Sequence, residues 1–140
     1  MTHAQWHKAI RRSLALAERQ PARALKALDT LLARLQSDAR KSAGDWHIEQ
    51  TLETISAVQS HLAKHRESAE TMLRIARHHE QLHAYYRRAF VAASATAALE
   101  LAAAGDRRGA RRLVSRARPA AAGLRPPEQL FRKAEKLIGG

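Results

Sequence analysis

Two histidines and a glutamate near the middle of the chain have the spacing of a zinc-binding helix. The segment reads His79-Glu80-x-x-His83. Histidines four positions apart lie on one face of a helix, so their imidazoles can share a metal ion. Glu80 could then polarise a metal-bound water for hydrolysis, and Glu100 lies at a sequence separation where a third ligand can be supplied. The pattern raises a zinc-dependent hydrolase as one hypothesis.

The surrounding sequence argues against this hypothesis. Metallopeptidases place the motif beside a sheet, whereas here no run of four to eight residues alternates as a strand would. Arg77 stands where their pattern prefers an uncharged residue. An apolar repeat, described below, also predicts a turn near 77–82, which conflicts with an unbroken helix over 79–83. We therefore expect no catalysis, with the zinc-dependent hydrolase kept as an alternative.

Two further histidine pairs have the same spacing of four, His3 with His7 and His61 with His65. Solvated helix surfaces and helix packing also accommodate histidine freely, so we expect no cofactor. The alternative is a structural or regulatory metal site shared by neighbouring helices, with ligands drawn from His61, His65, His79 and His83.

Arginines are concentrated between residues 107 and 118. If Ala110, Val114 and Ala117 face the core, most of these guanidiniums project outward. Arginine's planar fork binds carboxylates and phosphates, so we expect a face that binds an acidic protein or peptide. Its six arginines are Arg107, Arg108, Arg111, Arg112, Arg116 and Arg118. Two alternatives are contact with a nucleic-acid backbone and a face that is merely solvated. Nucleic-acid contact would be non-specific, because no aromatic residues or base-reading motif accompany the cluster.

The whole chain is basic, and its charge is unevenly distributed. It has 25 Lys and Arg against 13 Asp and Glu among 140 residues, a net charge of +12. The net charge is +6 over 1–44, −1 over 45–104 and +7 over 105–140. Such a balance favours an acidic partner. The absence of cysteine excludes disulfides, thiolate metal sites and thiol catalysis.

The elements that would hold these residues are helices. Ala, Leu and Arg dominate, and apolar residues recur at helical spacing between Gly and Pro breakers, so we predict an all-α chain of seven helices. We expect one domain over 1–140. It would contain stacked antiparallel hairpins at approximately 4–36, 45–80 and 82–118, with a capping helix at 127–138.

A repeated pattern of small and apolar residues supports this arrangement. Gly105-Asp106 followed by Ala110, Val114 and Ala117 resembles the inter-helix turn and second helix of the tetratricopeptide repeat. The segments Ala24-Leu28-Leu31 and Ala69-Leu73-Ala76 repeat the pattern at separations of 45 and 41 residues. The resemblance implies a tetratricopeptide-like α-solenoid that binds a peptide or protein in a groove.

The segment Phe90 to Ala104 is apolar or small almost throughout, as in a helix buried on all sides. We expect the final helix to cover it, or a second copy of the chain in a homodimer. No stretch approaches the roughly 20 apolar residues that a membrane span needs, and Lys8, Arg11 and Arg12 interrupt the first twenty residues. We therefore expect a cytoplasmic protein without membrane contact.

Overall fold

Helices account for almost all of the described chain. The computed structural model describes residues 1–38, 46–81 and 87–139, without the side chains of 78–81 and 87. Those residues form seven α-helices and no strand, which confirms the all-α prediction. The helices are α1 His3–Arg19, α2 Pro21–Ser37, α3 Trp46–His61, α4 His65–Gln81, α5 Arg87–Ala103, α6 Arg107–Ala117 and α7 Arg125–Ile138, with a 3₁₀ helix at Arg118–Ala121. None of the described helices combines the length and apolar character that crossing a bilayer requires.

The chain divides into two compact units, Met1–Ala63 and Lys64–Gly140. The first unit holds α1 to α3, and the second holds α4 to α7. The predicted hairpin at 45–80 thus takes α3 from one unit and α4 from the other. The single domain over 1–140 stays a prediction, as does solenoid stacking.

In the first unit, α2 packs against both α1 and α3. Helix α1 begins with a capping box, in which the Thr2 side chain accepts from the Gln5 backbone and the Gln5 side chain accepts from the Thr2 N–H. Pro21 occupies the first turn of α2, where a backbone N–H would have no acceptor within the helix, so the lack of one costs nothing. Buried leucines and isoleucines from α2 and α3 form most of the core: Leu25, Leu28, Leu31, Leu32, Leu35, Ile48, Leu52 and Ile55.

Helix α5 is the centre of the second unit. It packs against α4, α6 and α7, as expected for a helix with apolar residues on all sides. The final helix, α7, covers it as predicted. Eight of its seventeen residues are alanine. Small side chains allow neighbouring helix backbones to approach closely, so the alanines of α5 favour close packing of the helices around it. A homodimer stays a prediction.

Gly105 and Asp106 form the turn between α5 and α6, at the position where the sequence predicted an inter-helix turn. Gly105 adopts φ +81°, a left-handed conformation that costs glycine little. The Asp106 carboxylate then accepts a hydrogen bond of 2.8 Å from the Gly109 N–H at the start of α6. This turn sets α6 back along α5, and the two helices form a packed hairpin.

Two helix ends differ from the sequence prediction. Helix α4 continues through Gln81, beyond most of the turn predicted near 77–82, because neither glycine nor proline interrupts it. Helix α7 begins at Arg125, two residues before the predicted start at 127. The earlier start places Pro126 and Pro127 in the first turn of α7, where proline is well accommodated.

Candidate binding groove

An open groove of about 690 Å³ lies on the second unit, between α4 and α6 and above α5. We call it the α4–α6 groove. Each helix contributes residues at helical spacing, so three helix faces converge on one surface. From α4 come Arg66, Glu70, Leu73, Ala76 and Arg77; from α5, Phe90, Ser94 and Leu101; from the turn and α6, Asp106, Gly109, Arg112, Leu113 and Arg116.

The apolar part of the lining forms the floor of the groove. Leu73, Phe90 and Leu113 are half-buried, so each keeps some apolar surface exposed to water. Ser94 lies among them with 0% exposure, and its Oγ has no hydrogen-bond partner among the described residues. A buried hydroxyl without a partner costs free energy. The floor therefore offers apolar area to a ligand that covers it.

The charged part of the lining is predominantly basic. Arg66 lies 3.4 Å from the Asp106 carboxylate, which also caps α6, so these two charges offset one another. Within the described residues, neither Arg77 nor Arg112 makes an ion pair, and they stand on opposite walls, one on α4 and one on α6. The second unit has 16 basic against 7 acidic residues, a net +9. The groove is thus an electropositive site with an apolar floor.

The structure separates the six arginines predicted to bind a partner. Arg112 and Arg116 line the α4–α6 groove. Arg118 is held in an ion pair with Glu135 of α7. The other three, Arg107, Arg108 and Arg111, are exposed and lie outside the groove lining.

Arg77 is the groove residue that sequence reasoning missed as a partner ligand. In the sequence analysis, Arg77 matters only because the metallopeptidase pattern prefers an uncharged residue at that position. The signal was present, since Arg66, Glu70, Leu73 and Arg77 recur at spacings of four, three and four along α4. The sequence pattern does not predict that this stripe lines the same groove as the arginines of α6.

Two of the predicted metal ligands do lie together. His65 Nδ1 is 2.7 Å from Glu100 Oε2, which joins the start of α4 to the end of α5. His61 is exposed at the end of α3, in the other unit. No group of three His, Asp or Glu among the described residues is arranged to hold a metal ion.

The remaining zinc candidates fall outside this description. His79 and Glu80 belong to α4, but their side chains are outside the described residues, as is the whole of His83. The expectation of no cofactor and the alternative of a zinc site both stay predictions. Within the described lining of the α4–α6 groove, four arginines outnumber the two carboxylates of Glu70 and Asp106, so the lining as a whole favours an anion.

Comparisons of the chain with models of protein families, with curated protein sequences and with solved structures gave no match. No relative therefore indicates a substrate or a partner. The functional inference depends on the geometry and charge of the α4–α6 groove.

Proposed function

We propose that this protein is a non-enzymatic binding module that holds an acidic protein or peptide in the α4–α6 groove. The observation that carries the proposal is the pair Arg77 and Arg112. These two residues line one groove on opposite walls, and neither makes an ion pair within the described residues. Two such cations can grip carboxylates on both sides of one ligand.

The floor between the two walls adds to the binding free energy. Carboxylates accept charge-assisted hydrogen bonds from arginine, which are about twice as strong as neutral ones. A ligand that also covers Leu73, Phe90 and Leu113 removes apolar area from water, at about 25 cal/mol per Å². Covering this floor would also reduce the water that competes for the guanidiniums. Charge selects an acidic ligand, and the floor supplies affinity that charge alone lacks.

The resemblance of the α5–α6 hairpin to a tetratricopeptide repeat supports the same mode of action. That family binds a peptide or protein in a groove lined by the first helix of each hairpin. Here the first helix of its hairpin, α5, contributes to the floor of the α4–α6 groove, while the second helices α4 and α6 supply its walls. A tetratricopeptide-like stack acting in the cytoplasm is part of this proposal.

A fluorescein-labelled, glutamate-rich peptide tests the proposal through fluorescence anisotropy. The groove variant is Arg77→Glu with Arg112→Glu, which places negative charge on both walls. We expect it to bind the peptide at least about tenfold more weakly than the parent, a loss of about 1.4 kcal/mol. The reason is that two attractive contacts become repulsive.

The matched control is Arg108→Glu with Arg111→Glu. It changes the net charge by the same amount at exposed positions outside the groove lining. We expect its affinity to stay within about threefold of the parent, because these two side chains do not line the groove and salt screens their charge over the distance to a ligand bound there. Equal losses in both variants would show that total charge, not the groove, attracts the peptide. No binding by the parent would reject the proposed function.

A further inference from the structure

We infer that the ligand of the α4–α6 groove is an amphipathic acidic α-helix, seated with its apolar side on α5 and its carboxylates against both walls. This inference rests on the proposed function and specifies the form of its partner. It follows from three properties of the groove: the backbone groups it lacks, its length and the placement of its arginines.

The first property is that side chains of three helices line almost all of the groove. Backbone N–H and C=O groups inside a helix bond to one another, so the described walls offer a ligand side chains and few backbone partners. An extended peptide pressed onto the floor would bury backbone groups without partners, which costs binding free energy. A helical ligand satisfies its own backbone and avoids that cost.

The second property is the length of the groove. Its α4 wall runs from Arg66 to Arg77, a separation of eleven positions, which corresponds to about 17 Å of helix. A ligand helix of about three turns therefore matches this wall. Its side chains at i, i+4, i+7 and i+11 would meet a floor to which α5 contributes Phe90, Ser94 and Leu101 at helical spacing.

The third property is that arginines without an ion pair in the described part of the chain lie on both walls. Arg77 belongs to α4 and Arg112 to α6, with the apolar floor between them. A ligand with carboxylates on one flank would reach one wall only. The matching helix therefore carries glutamate or aspartate on both flanks of its apolar stripe.

Two synthetic 18-residue peptides of identical glutamate, leucine and alanine content test the inference. In the patterned peptide, leucines form one stripe with glutamates on both flanks. In the scrambled peptide, the same residues are distributed around the helix. We expect the patterned peptide to bind at least about tenfold more tightly by anisotropy, and to gain helical circular dichroism on binding, because isolated helices of this length are marginal in water.

The outcomes separate the inference from the proposed function. Equal affinity for the two peptides would reject the helical ligand and leave an acidic partner supported. Patterned binding that Arg77→Glu with Arg112→Glu leaves unchanged would place the helix elsewhere and reject the inference. Binding of neither peptide would reject both. Tighter binding of the patterned peptide, lost in that variant, would support both.

Discussion

The hydroxyl of Thr51 joins two helices of the first unit through two hydrogen bonds. It donates to the His47 backbone carbonyl at 2.7 Å and accepts from the Trp6 indole N–H at 3.0 Å. Trp6 is 4% exposed and Thr51 is fully buried, so water cannot replace either bond. The sequence places Trp6 on the apolar stripe of α1, but a periodic pattern does not reveal which polar atom a buried indole will meet.

Replacing this hydroxyl tests its contribution. Thr51→Val keeps a side chain of similar shape but leaves the Trp6 N–H buried without an acceptor, so we expect a loss of about 1–3 kcal/mol in the free energy of unfolding. Urea titration followed by tryptophan fluorescence measures it, because both tryptophans, Trp6 and Trp46, belong to the first unit.

Thr54 on the same helix supplies the control. Its hydroxyl bonds only to the Gln50 carbonyl one turn back, among the bonds seen in the described residues. That carbonyl belongs to the helix interior, so Thr54→Val should change the free energy of unfolding by less than about 0.5 kcal/mol. Similar losses in both variants would contradict a special role for the Trp6 to Thr51 bond.

At the scale of elements, α5 depends on small side chains. Ala98 has 0% exposure and lies in the core cluster with Val91, Phe131 and Ala134. Close packing leaves no space for added methyl groups, so we expect Ala98→Leu to lower the free energy of unfolding by about 1–3 kcal/mol. Thermal unfolding followed by far-UV circular dichroism would show it as a lower Tm.

The control for this substitution lies on the same helix. Ala92 is exposed, so Ala92→Leu adds the same atoms without forcing them into the core. We expect its free energy of unfolding to stay within about 0.5 kcal/mol of the parent. Tolerance of Ala98→Leu as complete as that of Ala92→Leu would contradict close packing around α5.

Helix positions could be predicted largely from sequence, whereas the groove could not. The apolar character of Phe90 to Ala104 and the pair Gly105-Asp106 are local signals, and the structure confirms a helix there and its turn. Burial of that helix is less complete than the sequence suggested, since Ala92 is exposed and Phe90 is half-buried. The α4–α6 groove instead depends on which faces of three helices remain uncovered after α7 packs on α5. Sequence periodicity identifies an apolar face but not its neighbour, so Arg77 and Arg112 could not be brought together in advance.

At the scale of the whole molecule, the net charge of +12 attracts any polyanion, whether or not it fits the α4–α6 groove. Salt separates the two kinds of binding. Phosphate contacts release counterions, so a protein with 6–10 such contacts loses roughly 10³–10⁵ in affinity between 50 and 200 mM salt. Apolar contact with the floor does not weaken in that way.

We therefore expect labelled duplex DNA to bind measurably at about 50 mM NaCl and to be lost at about 200 mM, while the patterned acidic peptide keeps measurable affinity. Anisotropy titrations at both salt concentrations provide the comparison. DNA affinity that persisted at the higher concentration, together with loss of the peptide, would favour the nucleic-acid alternative over an acidic partner.

The alanine-rich surface of α5 also limits how this sequence can drift during evolution. A buried leucine can exchange with isoleucine or methionine at modest cost, because volume is conserved. At a buried alanine such as Ala95 or Ala98, most replacements add volume, and glycine weakens the helix by about 1 kcal/mol. In descendants of this chain, α5 should therefore change slowly while the exposed faces of α1 and α7 diverge, so α5 should be the segment by which distant relatives are recognised.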